Sequence, residues 1–432
     1  MKVHLALFLS VAASTIGCGP PSDQSEPPLT AELTATSLHE QAIVVDGHVH
    51  IMTPVFHQGI DPWVVQETGL FDYARARQGG LDVVIHTIYI EDPYANYNYS
   101  VKQAYRLIEL FYQIVDANED KMALALTSAD VRRITAEGKM AAILALEGGM
   151  DPEGDLDILR SFYRLGVRLM QFTTHNTSNA LTDAWIGENK WGGVTDRGRE
   201  VIREMNRLGM MIDISHASEE AQFQIIEASQ APVVDTHTAL GRFSGRTRTM
   251  SDELLKALAA KGGLMSMHHS GSALSAAFTE WERAQGRVIA EQRRHLIEGM
   301  KLFREPIGYG DYISKLDAEL HDRWTRERSN RGGNGYGRPW RARQQEMVDA
   351  GAPLPTIDDW VEQLEHVIRL VGDDHVGIGL DLMSGGGGLQ NFDATSYARF
   401  TEGMLKKGLE PSTVRKVLGE NWLRVLDAAK VP

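Results

Sequence analysis

The chain alternates short apolar runs with longer amphipathic stretches, and this alternation predicts its fold. Eight runs consist mostly of consecutive apolar residues: 43–45, 81–90, 141–146, 167–172, 210–214, 232–234, 263–267 and 376–380. Continuous rather than alternating runs are typical of strands that are buried on both faces of a parallel sheet. Helical patterns separate them, for example 194–208 and 252–260, the latter behind the N-cap candidate Ser251. Eight strands alternating with helices predict a (β/α)8 TIM barrel, with a doubly wound open sheet as the alternative.

The spacing is broken once, between the seventh and eighth runs. The stretch from about 270 to 350 is rich in Arg, Glu and Gln and contains a glycine-rich sequence at 331–335. It is too long for a simple connection. We therefore expect a long, mostly helical insertion on the face that carries the active site, serving either as a lid or as the contact of a homodimer.

Composition and charge exclude several classes of protein. The chain has 432 residues, of which 43% are hydrophobic, a net charge of −14 and a single cysteine. An anionic chain gains nothing from the phosphates of nucleic acid, so we expect no such partner. One cysteine cannot build a disulfide scaffold or a cysteine-based zinc site.

The N-terminal sequence predicts export. Residues 1–18 begin with a positive charge, continue with an apolar run that is too short to span a bilayer, and end in Thr-Ile-Gly-Cys. This ending resembles a lipoprotein cleavage box in which Cys18 is lipidated; a plain secretory signal with an incidental cysteine is the alternative. Residues 19–40 predict a flexible tether, followed by the barrel domain at 41–432. We expect a protein facing the periplasm or the cell exterior, bound to a bacterial membrane only through a lipid anchor.

Histidines and acidic residues stand where the predicted strands end. Five of the 15 histidines are placed in this way, and His268 and His269 follow the seventh run. The strand ends converge on the catalytic face of a barrel. The side chains at these ends, in chain order, are His48, His50, Glu147, His175, His216, His237 and Asp381.

These residue types suit a binuclear metal centre. His48 and His50 are two residues apart on one strand, so their side chains point to the same side and could hold a divalent ion. His216 and His237 on neighbouring strands could hold a second, with Glu147 bridging the pair. Nitrogen and oxygen ligands favour Zn²⁺, although Mn²⁺, Fe²⁺ and Co²⁺ fit the same set. Two such ions activate a bridging water as hydroxide and polarise a carbonyl group.

Asp381 is then placed to accept the proton of that water and to pass it to a leaving amine. Each residue taken alone has a structural alternative: His216 or His237 as a hydrogen-bonded core histidine, Glu147 as a helix cap or ion-pair partner, and Asp381 as an N-cap. Their joint position at successive strand ends is what favours the metal centre.

Several segments together resemble the membrane (renal) dipeptidase family of zinc metallopeptidases, which are amidohydrolase-type barrels, over about residues 42–426. The segments are VVDGHVH, LALEGG, IDISHAS, APVVDTHTAL, DDHVGIGLD and GENWLRV. The resemblance implies hydrolysis of small dipeptides, including those with a D-residue at the second position.

The resemblance also implies roles for individual residues. His48 and Glu147 match ligands of the first ion, and Glu147, His216 and His237 match ligands of the second. His175 matches the histidine that contacts the substrate and the oxygen of the tetrahedral intermediate, and Asp381 matches the acidic residue that hydrogen-bonds the bridging water. Arg248 matches the arginine that binds the substrate carboxylate, with Arg242 and Arg246 as alternative matches.

Three departures from the sequence pattern of the family bear on the identity of the substrate more than on the type of reaction. His50 stands where the family has aspartate, His268-His269 replaces an aromatic segment, and Leu382 follows Asp381 where the family often has phenylalanine. Hydrolysis of N-acyl amino acids or lactones is therefore the nearer alternative, and a non-catalytic, metal-binding surface lipoprotein is the more distant one.

Overall fold

The computed structural model describes residues 34–90, 94, 99–148, 154–173, 178–185, 189–244, 248–285, 318, 339–382 and 388–430. Several features that the sequence singled out lie outside these residues: Cys18 with its signal segment, most of the tether, His175, Arg246 and the glycine-rich sequence at 331–335.

Parallel strands form the centre of the structure. Their bounds are β1 Val45–Val49, β2 Val83–Tyr89, β3 Met122–Leu124, β4 Met140–Glu147, β5 Val167–Gln171, β6 Met211–Asp213, β7 Val233–Thr238, β8 Leu264–Met267 and β9 Val376–Ile378. The order is β1-β2-β4-β5-β6-β7-β8-β9, and β3 pairs with the first half of β4. After β9, the N–H groups of Leu380 and Asp381 donate to Asp46 Oδ1 (3.0 Å) and to the carbonyl of His48 (3.1 Å). The eight-stranded barrel is thereby nearly closed, which confirms the predicted fold against an open sheet.

Each of the eight apolar runs overlaps a strand of the barrel, whereas β3 was not predicted. It has only three residues, and it pairs with Met140–Ala142 of β4 before β5 takes over the pairing from Leu144 onward. A strand this short, defined by its partner, leaves no periodic signal in the sequence.

Helices connect the strands and cover the barrel. Their bounds are α1 Ala35–Gln41, α2 Met52–Gln58, α3 Tyr73–Gln78, α4 Ser100–Asp116, α5 Ser128–Ala136, α6 Leu156–Arg164, α7 Asp196–Leu208, α8 Glu219–Ala228, α9 Gly241–Ser244, α10 Asp252–Ala260, α11 Gly271–Leu274, α12 Ala276–Ala284, α13 Trp340–Asp349, α14 Ile357–Val371, α15 Ala398–Lys406, α16 Pro411–Arg415 and α17 Asn421–Ala428. Ser251 caps α10 as predicted, accepting from the N–H of Leu254. Helix α7 begins two residues later than its pattern suggested because Thr195 is its N-cap.

The buried apolar residues form two clusters, one on each side of the sheet. Along β4, Ala141, Ile143 and Ala145 belong to one cluster, and the residues between them belong to the other, which contains most of the buried helix residues. Trp422 of α17 joins the first cluster, and its ring occupies the space that a Cβ atom on Gly47 would need. The C-terminal helix thus closes one end of the barrel, opposite the end that carries the site described below.

A helix lies just before the residue at which the sequence places the start of the barrel. Ala35–Pro432 forms one compact unit, and α1 lies in it. Leu38 is fully buried, and the ring of His39 is hydrogen-bonded to Thr401 Oγ1 (2.8 Å) and the carbonyl of Gly79 (3.0 Å). These contacts offset the entropic cost of ordering residues 35–40, which composition alone assigned to the tether.

The described parts of the expected insertion, α11, α12 and α13, are helical. Among the residues described, no helix is both long and apolar enough to cross a membrane.

Candidate metal centre

Four histidines and one glutamate meet at the carboxyl ends of the strands. The Nε2 atoms of His48 and His50 are 2.9 Å apart, as are those of His216 and His237. Between the two pairs lies Glu147, with Oε2 3.3 Å from His48 and 3.2 Å from His50, and Oε1 3.6 Å from His216. All five side chains are buried. The structure therefore brings together the five residues that the sequence predicted as ligands.

The backbone at the carboxyl ends of the strands has local irregularities that turn these side chains towards one another. The pairing of β1 with β2 shifts between Asp46 and Val49, where His48 lies. His216 and Asp381 adopt left-handed conformations, with φ of 66° and 54°. This region costs a non-glycine residue about 1 kcal/mol or more and is enriched at functional sites. Both strained residues have side chains in the cluster.

The donor set fits a divalent metal ion. Burial lowers the pKa of His48 to about 4, lowers that of His50, and takes that of His237 well below its usual value. At neutral pH these rings are uncharged, which is the form that binds a metal. Two groups hold their ligand atoms within 4.8 Å of one another: His48 with Glu147 and His237, and His48 with His50 and Asp381.

Asp381 spans two histidines at the edge of this cluster. Its Oδ1 atom lies 3.3 Å from Nε2 of His50, and its Oδ2 atom lies 3.2 Å from Nε2 of His268. Oδ1 is buried and makes no hydrogen bond within the described part of the chain. Burial alone would raise the pKa of Asp381, but the hydrogen bond from His268 opposes this effect, and the pKa lies below its usual range.

His268 is a site residue to which the sequence analysis gave no role. Its Nδ1 accepts from the N–H of Ser270 (2.9 Å), so the proton of the neutral ring is on Nε2, which donates to Asp381. His269 stacks on His268 at 5.3 Å and donates through Nδ1 to the carbonyl of Leu380. The position of His268 after the seventh run was the available signal.

Arg248 reaches the cluster, whereas Arg242 does not. Nη2 of Arg248 donates to the carbonyl of His237 (2.9 Å), and burial lowers the pKa of its guanidinium against the opposing charges of Asp235, Asp381 and Glu147. Arg242 has a side chain that is 54% exposed and contacts His366 and Asp252. Of the two described candidates for binding a substrate carboxylate, only Arg248 is positioned to do so.

The fold and this set of side chains define a class of protein. A nearly closed parallel barrel, with buried imidazoles and carboxylates at the carboxyl ends of its strands, is a metal-dependent hydrolase scaffold.

Comparison with known proteins narrows this class. The model of the membrane dipeptidase family (peptidase family M19) matches residues 33–431. Dipeptidase tcpJ of Claviceps purpurea is 25% identical over 367 residues, which cover 83% of this chain and 69% of that protein. Dipeptidase 3 of Rattus norvegicus is 31% identical over 246 residues, 53% of this chain and 49% of that protein.

Solved structures show the same fold. The probable dipeptidase PvdM from Pseudomonas aeruginosa superposes with a TM-score of 0.70 at 19% identity, over 92% of this chain and 97% of that one. A metallopeptidase from Rhodobacter sphaeroides, liganded with a phosphinate mimic of the dipeptide L-Ala-D-Ala, superposes with a TM-score of 0.63 at 20% identity, over 90% and 100%.

The chain belongs to the membrane dipeptidase family, peptidase family M19. It is a metal-dependent peptidase that hydrolyses dipeptides, as the sequence resemblance predicted.

Proposed function

We propose that the chain is a binuclear dipeptidase with Zn²⁺ as its preferred ion. In this proposal His48 and His50 would hold one ion, His216 and His237 would hold the other, and Glu147 would serve as a ligand of both. The observation that carries the proposal is the position of Glu147, whose two oxygens face different histidine pairs. Metal analysis of the protein reconstituted with Zn²⁺ tests it: we expect two ions per chain, and fewer than two would refute the binuclear centre.

Two divalent ions bound at these ligands supply an activated water and polarise the amide carbonyl of the substrate. The chain itself moves the proton. Asp381 accepts a proton as the water oxygen attacks the amide carbon, and delivers it to the nitrogen as the C–N bond breaks. The carboxylate is ionised at neutral pH and can accept a proton, and His268 fixes one of its oxygens.

Arg248 orients the substrate in this proposal. A planar guanidinium binds a carboxylate through two parallel hydrogen bonds, which suits the free C-terminus of a dipeptide. His175 would contact the carbonyl oxygen; it lies outside the described residues, and its role rests on the sequence resemblance. The phosphinate mimic of L-Ala-D-Ala in the Rhodobacter relative supports dipeptides with a D-residue at the second position.

One observation favours a second activity. His50 provides a neutral ligand where the family has an anionic one, and this raises the net positive charge of the centre and can change its preferred substrate. Assays with L,L- and L,D-dipeptides beside N-acyl amino acids and lactones separate the two. We expect the dipeptides to have the highest kcat/KM, and faster turnover of lactones or N-acyl amino acids would favour the second activity.

We further propose that the protein is exported and lipid-anchored through Cys18. The support is the sequence of residues 1–18 alone. Metabolic labelling with a radioactive fatty acid, applied to the full chain and to Cys18→Ser, tests the anchor. Labelling of the unaltered chain but not of Cys18→Ser supports the anchor, and equal labelling of the two proteins contradicts it. We also propose that the protein forms a homodimer, which a measurement of its mass in solution by light scattering tests.

A further inference from the structure

The hydroxyl of Thr236 lies directly behind the metal centre, and its closest contacts are with three other side chains. Its Oγ1 atom is 2.8 Å from Nδ1 of His237, 3.0 Å from Nδ1 of His48 and 2.6 Å from Oδ2 of Asp213. All four residues are buried. Thr236 and His237 are on β7, His48 is on β1 and Asp213 ends β6, so the hydroxyl joins three strands of the barrel.

The number of protons decides which atom donates in each contact. A hydroxyl has one proton to donate and two lone pairs that accept. Oδ1 of Asp213 already accepts from the backbone N–H groups of Ser215 (2.9 Å) and Thr236 (3.2 Å), so this carboxylate acts as an acceptor. The hydroxyl proton of Thr236 therefore goes to Oδ2 of Asp213. Both lone pairs are left to accept, one from His48 and one from His237.

A neighbouring hydroxyl does not change this assignment. Oγ of Ser215 is 3.2 Å from Oγ1 of Thr236, but it lies only 2.6 Å from Oδ1 of Asp235, to which it gives its single proton. It has no second proton to donate to Thr236.

The hydrogen bonds to Thr236 determine the tautomer of two proposed ligands, His48 and His237. If Nδ1 carries the proton in neutral His48 and His237, Nε2 carries the lone pair, and Nε2 is the atom that faces Glu147 and the neighbouring histidine. His50 has no such anchor: its Nδ1 is buried and lacks a hydrogen-bond partner in the described part of the chain. In the pair formed by His48 and His50, only His48 is therefore preset as a ligand.

We infer that Thr236, oriented by Asp213, is a positioning residue that presets one ligand of each metal ion. The inference rests on the proposed function, in which His48 and His237 belong to different ions. Partners that hold the second nitrogen of a ligating histidine fix its orientation, and their loss typically weakens metal binding by about 10- to 100-fold. A single hydroxyl that serves both ions would extend this effect to the whole centre.

The test compares Thr236→Val, which removes the hydroxyl at nearly constant shape, with Thr236→Ser, which keeps it. Zn²⁺ affinity is measured by competition with a chelator on the metal-free protein, with no substrate present. We expect Thr236→Val to weaken binding of both ions by about 10- to 100-fold and Thr236→Ser to stay within a few-fold of the unaltered chain. The matched control is Thr401→Val, which removes a threonine–histidine hydrogen bond to His39 far from the centre and should leave Zn²⁺ affinity unchanged.

A second measurement needs no variant. ¹⁵N NMR of the imidazole nitrogens in the metal-free, unaltered chain reports the tautomer, and we expect His48 and His237 to carry their protons on Nδ1. Protons on Nε2, unchanged Zn²⁺ affinity in folded Thr236→Val, or an equal loss in Thr236→Ser would each overturn the inference. If the unaltered chain binds fewer than two ions, the binuclear proposal fails; if it binds two and Thr236→Val binds them equally well, only the role of Thr236 fails.

Discussion

The Oδ2 atom of Asp381 accepts a hydrogen bond from Nε2 of His268 over 3.2 Å, while Oδ1 lies 3.3 Å from Nε2 of His50. The carboxylate is thus held from one side and turned towards the proposed ligands on the other. This arrangement leaves one oxygen of Asp381 for a proton that arrives from the metal centre. The contributions of Asp381 and His268 to turnover can therefore be measured separately.

Asp381→Asn removes the proton acceptor and keeps the shape of the side chain. We expect kcat to fall at least about a hundredfold, the usual contribution of general acid–base catalysis, with both metal ions retained. Steady-state kinetics together with metal analysis on the same preparation check this. Near-normal turnover would show that Asp381 does not carry the proton, and loss of metal along with turnover would make it a ligand instead.

His268→Phe keeps a ring next to His269 and removes the donor to Asp381. A hydrogen bond to a charged group contributes about 1.5–3 kcal/mol, so we expect kcat to fall by about tenfold or more with little change in KM. His268→Gln retains a donor and should recover part of the loss. Equal activity of His268→Phe and the unaltered chain would show that the hydrogen bond to Asp381 does not contribute to turnover.

Arg248→Met removes the guanidinium that faces the cluster. If Arg248 binds the substrate carboxylate, kcat/KM for a dipeptide should fall by about 10- to 100-fold, because charge-assisted hydrogen bonds are lost. The same variant should act almost normally on a dipeptide whose C-terminus is an amide, which has no charge to bind. Arg242→Met, on an exposed side chain, is the control and should leave the kinetics unchanged. An equal loss on both substrates would argue against carboxylate recognition.

The sequence predicted the barrel and its strand-end residues because both depend on local patterns. Continuous apolar runs indicate buried parallel strands, and the geometry of a barrel then brings their ends together. The partner of His268 could not be predicted, because it depends on how the segment after β9 passes β8. The link from Thr236 to His48 and His237 likewise depends on the exact approach of β1 and β7, which no spacing in the sequence encodes.

Gly47 must stay without a side chain because the ring of Trp422 fills the space beside it. Gly47→Ala should destabilise the protein by about 1–3 kcal/mol or more through overpacking, measured as the free energy of unfolding in denaturant. The smaller ring of Trp422→Phe should relieve part of this clash. We therefore expect the double variant to lose less stability than the sum of the two single variants, and simple additivity would contradict the contact.

His86 predicts a pH dependence of stability that is separate from catalysis. The ring is fully buried on β2, with Nε2 3.3 Å from the hydroxyl of Tyr73, and burial lowers its pKa to about 3. Between about pH 6.5 and 3 the unfolded chain binds a proton at this residue and the folded chain does not. The free energy of unfolding should therefore fall as the pH is lowered through this range.

His86→Gln keeps a polar group near Tyr73 and removes the titration. Between pH 7 and pH 5, we expect the unaltered chain to lose about 2 kcal/mol more stability than the variant, since one pKa unit corresponds to about 1.4 kcal/mol. Denaturant unfolding of both proteins at the two pH values measures this difference. Effects of pH on the metal centre are common to both proteins and cancel in the comparison. Identical losses would mean that His86 titrates in the folded chain as it does in the unfolded chain.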